Sequence, residues 1–494
     1  MPQDNSLHIW SEQQLKKMFE KYADLVILTH YFGDEDAAEV ILVFSEGTCD
    51  SSIIGITILP ALERLYKAEG GFFLHGLDIY ASLPLTHFKG KIDLEKMTDH
   101  LFLGEIMIIF PEIHAVFLMD ISKLPQRSPE ESSTEISIKG PKDGFVENIV
   151  INTALIRKRL RGSSLCNETF VIGTRTRTKV GLMYIDDIIS PPILEEIRKR
   201  LNSIHTDGIY SSNQIEELIV DYKYSVVPLV DNTGRPDFIV SALLNGRFAV
   251  LVDGSPMITV GPSSLFLQLK SAEDLHFNFL YTTFARIIRL ISLFLTIMLP
   301  ALWVALTAYH PDQVPFRLLA TIATARLGLP FSAQIELFVL LVLLEIFREA
   351  GVRLPSSIGQ TLTVVGGLII GDAAIRAGLV SPSVVVVGAV TTVCSATLVN
   401  QNLSSTVSIF RFFLYFCSAL LGMFGVIMGS VLLVFYLSRL RSFGVPYLAP
   451  FSPPFFKQMI PSILRLPWPL LTKRPPILHP QDPDHQEGDS RENS

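Results

Sequence analysis

Two carboxylates inside an apolar stretch are the side chains of this 494-residue chain whose placement most suggests chemistry. The run 331–347 is apolar but contains Glu336 and Glu345, nine residues apart. Charges at bilayer depth are costly, and they occur mainly on ion or substrate pathways. Nine residues turn about 180° around a helix, so the two carboxylates cannot share one partner. Arg348, three residues after Glu345, can pair with it at the end of a helix. Glu336 has no partner at helical spacing and is therefore the more interesting intramembrane polar candidate.

Small residues form a second candidate site. The Gly-rich segment 363–378 carries Asp372 and Arg376, which are four residues apart and can neutralise each other. Faces of small residues bring helices into close contact or, in an oligomer, line a pore, and the spacing does not separate these roles. The candidate pore or packing residues are Gln360, Thr363, Gly366, Gly367, Gly371, Asp372 and Arg376, and the candidate helix contacts are Gly422, Gly425 and Gly429.

No motif indicates catalysis, a cofactor or a metal. The sequence lacks a Gly-rich phosphate loop, HExxH, GxSxG and an EF-hand loop, and its four Cys and eleven His lack ligand spacing. The acidic run 34–36 could bind a cation but is more typical of a polar turn. The basic runs 157–161 and 175–179 could face anionic lipid or RNA, although a solvated helix end and strand are the ordinary interpretation. We therefore predict a non-enzyme with no cofactor and no nucleic-acid partner.

The charge distribution separates the chain into two parts. Of the 41 Lys and Arg and 48 Asp and Glu, 15 and 10 lie in residues 281–494, which leaves 26 and 38 for residues 1–280. The first part is therefore −12 and the second +5. Twenty uncharged residues, Leu290–Tyr309, would extend about 30 Å as a helix, enough to cross a bilayer core. Further uncharged runs occur at 354–371, 377–410 and 412–438.

These runs predict a multi-pass helical membrane domain. Candidate crossings are 290–309, 331–347, 359–378, 379–400 and 411–437. No signal peptide is evident at the N-terminus, and basic residues follow the last crossing, so both termini are expected in the cytosol. An even number of crossings is then required, and we expect the Gly-rich segment 363–378 to be re-entrant. The polar run 400–402 indicates a turn near a membrane surface.

Two small α/β subdomains are predicted before the apolar part. Strand-length apolar runs at 25–28, 40–44, 106–110 and 115–119 accompany helical periods at 51–66 and 94–103. After a polar linker, a helix over 147–161 is expected to end at Gly162 as its C′ residue, and strands are expected at 170–173 and 180–185. Further helices begin at Pro191 and at a Ser211/Gln214 capping box. A hairpin with a type I′ turn is expected at Asp253-Gly254.

The predicted fold class is thus an α/β cytosolic N-terminal region of two small α/β subdomains, followed by an α-helical multi-pass transmembrane domain. The expected domain bounds are 1–124 for the first α/β subdomain, 125–144 for the linker, 145–280 for the second α/β subdomain, 281–438 for the transmembrane domain and 439–494 for a basic, then acidic, cytosolic tail.

Several runs resemble the A subunit of GerA-type spore germinant receptors. They include residues 140–147, 152–161, 178–185 and 251–256, and above all Arg348-Glu349-Ala350-Gly351-Val352-Arg353-Leu354-Pro355 and Gly371-Asp372-Ala373-Ala374. The resemblance covers about residues 140–455, and residues 1–139 match only loosely. The chain departs from the family at 227–229, 233–237 and 261–264. The stage V sporulation AF protein has a related architecture, but the intact runs favour the receptor A subunit.

The resemblance implies a multi-pass protein of the spore inner membrane that responds to nutrients. It would act with a permease-like B subunit and a lipoprotein C subunit, in contact with membrane lipid, and would form a homo-oligomeric ion channel that opens when a germinant binds. Two alternatives stay open: a secondary transporter, indicated by a broken helix with Glu336 and Asp372, and a membrane-anchored scaffold of a germination or sporulation complex.

Overall fold

A computed structural model describes residues 11–33, 38–69, 71–72, 83–88, 94–123, 137–352 and 371–485. The chain forms two compact units. The N-terminal unit contains the residues up to Lys223, Val230–Pro262 and the residues from Leu471 onward. The helical unit contains Tyr224–Leu229 and Ser263–Leu470.

The first sheet of the N-terminal unit is antiparallel, with strand order β1-β2-β4-β5-β3. Residues alternate between the faces of a strand, so Val40 and Leu42 enter one core whereas Ile41 and Val43 enter another. Both faces of β2 are covered, which is why it reads as a continuous apolar run. The strands of this first sheet are β1 (Leu25–Phe32), β2 (Ala38–Ser45), β3 (Thr86–His87), β4 (Glu105–Phe110) and β5 (Ala115–Asp120).

Helices cover this sheet at the predicted places. The helical period at 51–66 is interrupted by a π-helical turn at Ile54–Ile58. Asp50 caps this stretch by accepting a hydrogen bond from the Ser52 amide. The helices are α1 (Glu12–Met18), α2 (Ser51–Ile53), α3 (Leu59–Glu69) and α4 (Leu94–Phe102).

The second sheet is also antiparallel, with strand order β6-β7-β9-β10-β8. Its apolar core lies between the sheet and two of its helices, where Ile156 and Ile239 are fully buried. The strands are β6 (Leu165–Ile172), β7 (Thr178–Ile185), β8 (Asp231–Thr233), β9 (Phe248–Val252) and β10 (Ile258–Gly261). The helices are α5 (Ile149–Arg157), α6 (Pro191–Asn202), α7 (Ser212–Ile219) and α8 (Pro236–Leu244).

Three local predictions for this sheet are wrong. Helix α5 ends at Arg157 rather than at 161, and the Arg157 side chain is buried in an ion pair with Asp24. The β9–β10 connection is longer than the predicted two-residue turn, and within it the Asp253 carboxylate accepts a hydrogen bond from the Ile149 amide at 3.2 Å. The predicted capping box does not form, because the Gln214 side chain accepts a hydrogen bond from the Tyr210 amide.

The helical unit contains the apolar helices. The helix over Phe279–Tyr309, which ends in a π-helical turn at Ala305–Tyr309, and the helix over Gln401–Arg439 are long and apolar enough to cross a membrane. The predicted turn at 400–402 is confirmed, because Asn400 caps the second of them. The helices are α9 (Leu265–Gln268), α10 (Phe279–Val304), α11 (Phe316–Ala325), α12 (Ala333–Val352), α13 (Pro382–Ala396), α14 (Gln401–Arg439) and α15 (Phe456–Ile463), and two short strands, β11 (Arg441–Ser442) and β12 (Val445–Pro446), follow α14.

Helix α14 is a hairpin of two helices rather than the single crossing that residues 411–437 predicted. Gly422 breaks the helix with φ 60° and ψ −139°, a backbone conformation that favours glycine. A Cβ on Gly425 would lie 1.9 Å from the Cys417 carbonyl oxygen, although eight residues of a straight helix extend about 12 Å. The segments 401–421 and 423–439 therefore fold back against each other.

Candidate functional site

Helix α10 buries mainly small and polar residues, and both α10 and α14 expose large apolar ones. In α10 the buried positions include Thr282, Ser292 and Thr296. In the most apolar 18-residue stretch of the helix over Phe279–Tyr309, only 39% is buried, and in that of α14 only 28% is buried. A core helix of a soluble protein is mostly buried. The exposed apolar side chains of these two helices include Leu280, Phe284, Ile291, Phe294, Phe416, Leu420, Phe424, Ile427, Val431 and Phe435.

A charged cluster joins α12 to the first half of α14. The Arg411 Nη2 donates to the Glu345 Oε2 at 2.6 Å, and the Arg411 side chain is only 4% exposed. The second oxygen of Glu345 pairs with Arg348 at 2.6 Å, three residues away on the same helix, as the spacing predicts. One carboxylate thus holds two guanidinium groups. We call Glu345, Arg348 and Arg411 the charged cluster.

Serines of α14 complete this cluster. The Ser408 hydroxyl donates to the Glu345 Oε2 at 3.3 Å, and Arg348 donates to the Ser404 hydroxyl at 3.1 Å. Residues 404, 408 and 411 share one face of α14, because the spacings are four and three. The Arg411 Nε is nevertheless buried without a hydrogen-bond partner in the described part of the chain. A buried donor without a partner carries a desolvation penalty, so the hydrogen bonds of the cluster do not fully offset the cost of burying Arg411.

Glu336 lies elsewhere on α12 and is fully buried. Its Oε2 accepts a hydrogen bond from the Ser381 amide at 3.1 Å. Its Oε1 lies 3.4 Å from the Arg326 Nε, but the contact does not satisfy hydrogen-bond geometry, and neither atom has another hydrogen-bond partner among the described residues. The partner of Glu336 is therefore ten residues earlier and outside α12, which is why helical spacing did not indicate it.

The Gly-rich candidate segment is described only at its end. Gln360, Thr363, Gly366 and Gly367 lie outside the described residues. Asp372 and Arg376 form the predicted i,i+4 ion pair at 2.8 Å, and both side chains are exposed. A Cβ on Gly371 would lie 3.3 Å from Val385, a tight contact with α13.

The other candidate glycines lie inside the α14 hairpin. Gly429 faces Leu414 and Cys417 across it, and a Cβ there would lie 2.6 Å from the Leu414 side chain. The Tyr309 ring packs over Gly422, and its hydroxyl donates to the Ala419 carbonyl at 2.5 Å. The absence of side chains at these glycines thus permits the close approach of the two halves.

Two buried arginines were not selected from the sequence as site residues. Arg411 is the single charge between the uncharged runs 377–410 and 412–438, and that isolation is a signal that the sequence offers. Arg157, expected at a solvated helix end, is instead fully buried: its Nε donates to Asp24 at 2.9 Å, and its guanidinium lies 3.8 Å from the centre of the Phe102 ring. The sequence of a basic run does not show which of its residues is buried and which are solvated.

The described part of the N-terminal unit shows polar groups in structural roles. Burial and the adjacent Glu168 raise the pKa of Tyr184, while Arg198 pairs with the same carboxylate. Burial raises the pKa of the Cys49 and Cys166 thiols to about 11, which disfavours a reactive thiolate. No group of three or more His, Cys, Asp or Glu is placed to hold a metal within the described ranges.

Fold and site together define a chain with an α/β part followed by apolar helices that enclose buried ion pairs, two of those helices being long enough to cross a membrane. The chain belongs to the GerA family: the sequence model of the family, described as Bacillus/Clostridium GerA spore germination protein, matches residues 13–477. The resemblance drawn from the sequence is therefore confirmed at the level of the family.

Relatives extend over nearly the whole chain. Spore germination protein XA of Bacillus anthracis is 42% identical over 98% of this chain and 98% of its own length. Spore germination protein KA of Bacillus subtilis (strain 168) is 33% identical over 97% of this chain and 88% of its own. The crystal structure of the N-terminal domain of the A subunit of the Bacillus megaterium spore germinant receptor GerK3 covers 53% of this chain and 98% of that one, with 28% identity and a TM-score of 0.40.

Proposed function

We propose that this chain is the membrane subunit of a nutrient germinant receptor, and that it triggers spore germination as part of an oligomeric ligand-gated ion channel. The exposed apolar surface of α10 and α14, combined with the small and polar residues that α10 buries, is the observation that carries the proposal. Helices in lipid gain nothing by hiding large apolar side chains, so they associate through small and polar residues. Membership of the GerA family supplies the germination context.

In this proposal the charged cluster is the element that responds to the germinant. Glu345 on α12 holds Arg411 on α14, so displacement of these helices against each other requires the ion pair to break. Separation of the pair would leave the buried Arg411 charge uncompensated, which is costly, and this suits a closed state that a ligand must overcome. Both halves of the α14 hairpin contact α10, because Ser418 donates to the Ala301 carbonyl and Ser430 donates to the Met298 sulfur.

The candidate pore residues Gln360, Thr363, Gly366, Gly367 and Gly371 belong to the same proposal. Their hydroxyl and backbone carbonyl groups would line the conduit of the oligomer. A permease-like B subunit and a lipoprotein C subunit would complete the receptor, with both termini of this chain in the cytosol. The chain itself would act without catalysis.

A secondary transporter is the second candidate, and Glu336 favours it. A fully buried carboxylate with one oxygen lacking a hydrogen bond, next to the amide at the start of α13, resembles a proton- or ion-coupled site. Saturable substrate counterflow by vesicles that contain this chain alone would support this candidate over the channel.

Ion flux from vesicles that contain the complete receptor tests the channel. Nutrient addition should release the trapped cation, and Gly367→Leu should suppress that release because a bulky side chain would occupy the conduit. Thr363→Ala is a milder variant that should change ion preference. Unchanged flux in both variants would mean that the Gly-rich face only packs helices.

A further inference from the structure

The start of α10 and the end of α15 enclose a small, partly open pocket with cationic and apolar walls. Its polar side chains are Lys270, Arg286 and Ser462. Phe266, Leu290 and Ile463 supply the apolar walls. A lining of this kind matches an amphiphile whose charged group is anionic.

The pocket lies beside an Asp274 carboxylate that is shared by two arginines. The Arg286 Nε donates to the Asp274 Oδ2 at 2.9 Å, and Arg289 binds both oxygens, at 2.9 and 3.1 Å. The two arginine side chains are 12% and 14% exposed. In the described part of the chain, the terminal amino groups of Arg286 have no hydrogen-bond partner, although the side chain is nearly buried and faces the pocket.

Positive charge exceeds negative charge in the sequence segments that contribute to this pocket. Residues 263–290 and 451–470 contain five Lys and Arg but only two Asp and Glu. Arg465 donates to the Phe277 carbonyl at 2.6 Å and contacts the Asp274 carbonyl, so it closes the cluster from the side of α15. Burial, and then the neighbouring Arg286, lower the pKa of Arg465. A bound anion would relieve this repulsion.

The surroundings of the pocket are exposed and apolar. Phe456 and Ile460 on α15 are 76% and 61% exposed, and Trp468 follows at 59%. On the first turns of α10, Leu280 and Phe284 are exposed as well. Exposed aromatic residues next to basic ones are typical of the membrane–water interface, where Trp and Tyr are enriched and Lys and Arg meet headgroups.

We propose that this pocket binds the phosphate of an anionic phospholipid, with Lys270 and the terminal amino groups of Arg286 on the phosphate and an acyl chain along Leu290 and Ile463. The proposal rests on the membrane insertion that the proposed function includes. Arg286 would then bridge Asp274 and the lipid, in addition to the contacts by which Arg465 already holds the end of α15 at the start of α10.

Spin-labelled lipids measure this preference directly. The full chain is reconstituted in phosphatidylcholine vesicles, and the fraction of motionally restricted label is compared for phosphatidylglycerol and phosphatidylcholine probes. Phosphatidylglycerol should be preferred several-fold, and Arg286→Gln and Lys270→Gln should each reduce the preference about fivefold or to none, since a basic residue near a surface contributes about that factor. Arg317→Gln, which removes an exposed charge from α11, is the matched control and should retain the preference.

Three results overturn the proposal. They are an equal affinity for both probes, a preference that both pocket variants retain, and a preference that 10 mM inorganic phosphate abolishes, which would assign the pocket to a soluble phosphate instead. Flotation of the same vesicles reports insertion independently. A chain that floats but shows no lipid preference refutes the pocket alone, whereas a chain that does not float refutes the membrane assignment.

Discussion

Replacement of Glu345 by Gln should destabilise the helical unit by about 3 kcal/mol, the lower end of the range for breaking a buried ion pair from one side, because Arg411 is buried but Glu345 is 28% exposed. The distance of 2.6 Å between the Arg411 Nη2 and the Glu345 Oε2 corresponds to a Coulomb attraction of about 6 kcal/mol at an effective dielectric constant of 20. Desolvation of the two groups offsets much of that attraction while the pair is intact. When the carboxylate is removed, the desolvation of Arg411 remains without compensation, because its side chain is only 4% exposed.

A double-mutant cycle in detergent micelles tests this magnitude. Glu345→Gln, Arg411→Gln and the double variant are unfolded by titration with a denaturing detergent, and tryptophan fluorescence gives the free energies of unfolding. The double variant should lose about 1–3 kcal/mol less than the two single losses together. Arg376→Gln is the control, since its partner Asp372 lies in an exposed pair that should contribute at most about 1 kcal/mol. Additive losses, or a loss for Glu345→Gln no larger than the control, would refute the reasoning.

Three further predictions concern other parts of the chain. Gly425→Ala should separate the halves of the α14 hairpin, because its Cβ would lie 1.9 Å from the Cys417 carbonyl oxygen. Double electron–electron resonance between labels on the two halves would then report a longer distance. An unchanged distance would contradict the hairpin. Asp24→Asn should lower the stability of the N-terminal unit by about 3 kcal/mol or more, measured as a fall in Tm, because it leaves Arg157 buried without its charge partner. Alkylation of Cys166 in the folded chain should be very slow at pH 8 and rise toward pH 11, since its raised pKa keeps the thiol protonated below that value; peptide mass spectrometry would detect fast labelling at pH 8 if this is wrong.

Strands and helix starts were predictable where the signal is local. The apolar runs at 40–44 and 106–110 became β2 and β4, because strands that are buried on both faces need apolar residues at every position. Pro191 stands in the first turn of α6, as its fixed φ predicts. Asn400 caps α14 where the polar run interrupts the apolar one.

Features that depend on distant partners were not predictable. The break at Gly422 occurs inside a run that hydropathy presents as one crossing, and the ring of Tyr309, more than 100 residues earlier, packs over the glycine. Asp253, in the β9–β10 connection, binds the amide of Ile149, which is 104 residues away. The partners of the candidate carboxylates likewise come from other elements: Arg411 for Glu345 and Arg326 for Glu336. Spacing identifies a charge in an apolar run, whereas only the fold identifies what neutralises it.

Nutrient-triggered germination of spores tests the central claim most directly. The gene for this chain is deleted in a strain from which the other members of its family have been removed, and germination is followed as the fall in optical density after each nutrient is added. The proposal predicts that the response to at least one nutrient is lost and that the intact chain restores it, whereas Arg411→Gln restores it poorly. An unchanged response to every nutrient after the deletion would contradict the assignment of this chain to a germinant receptor.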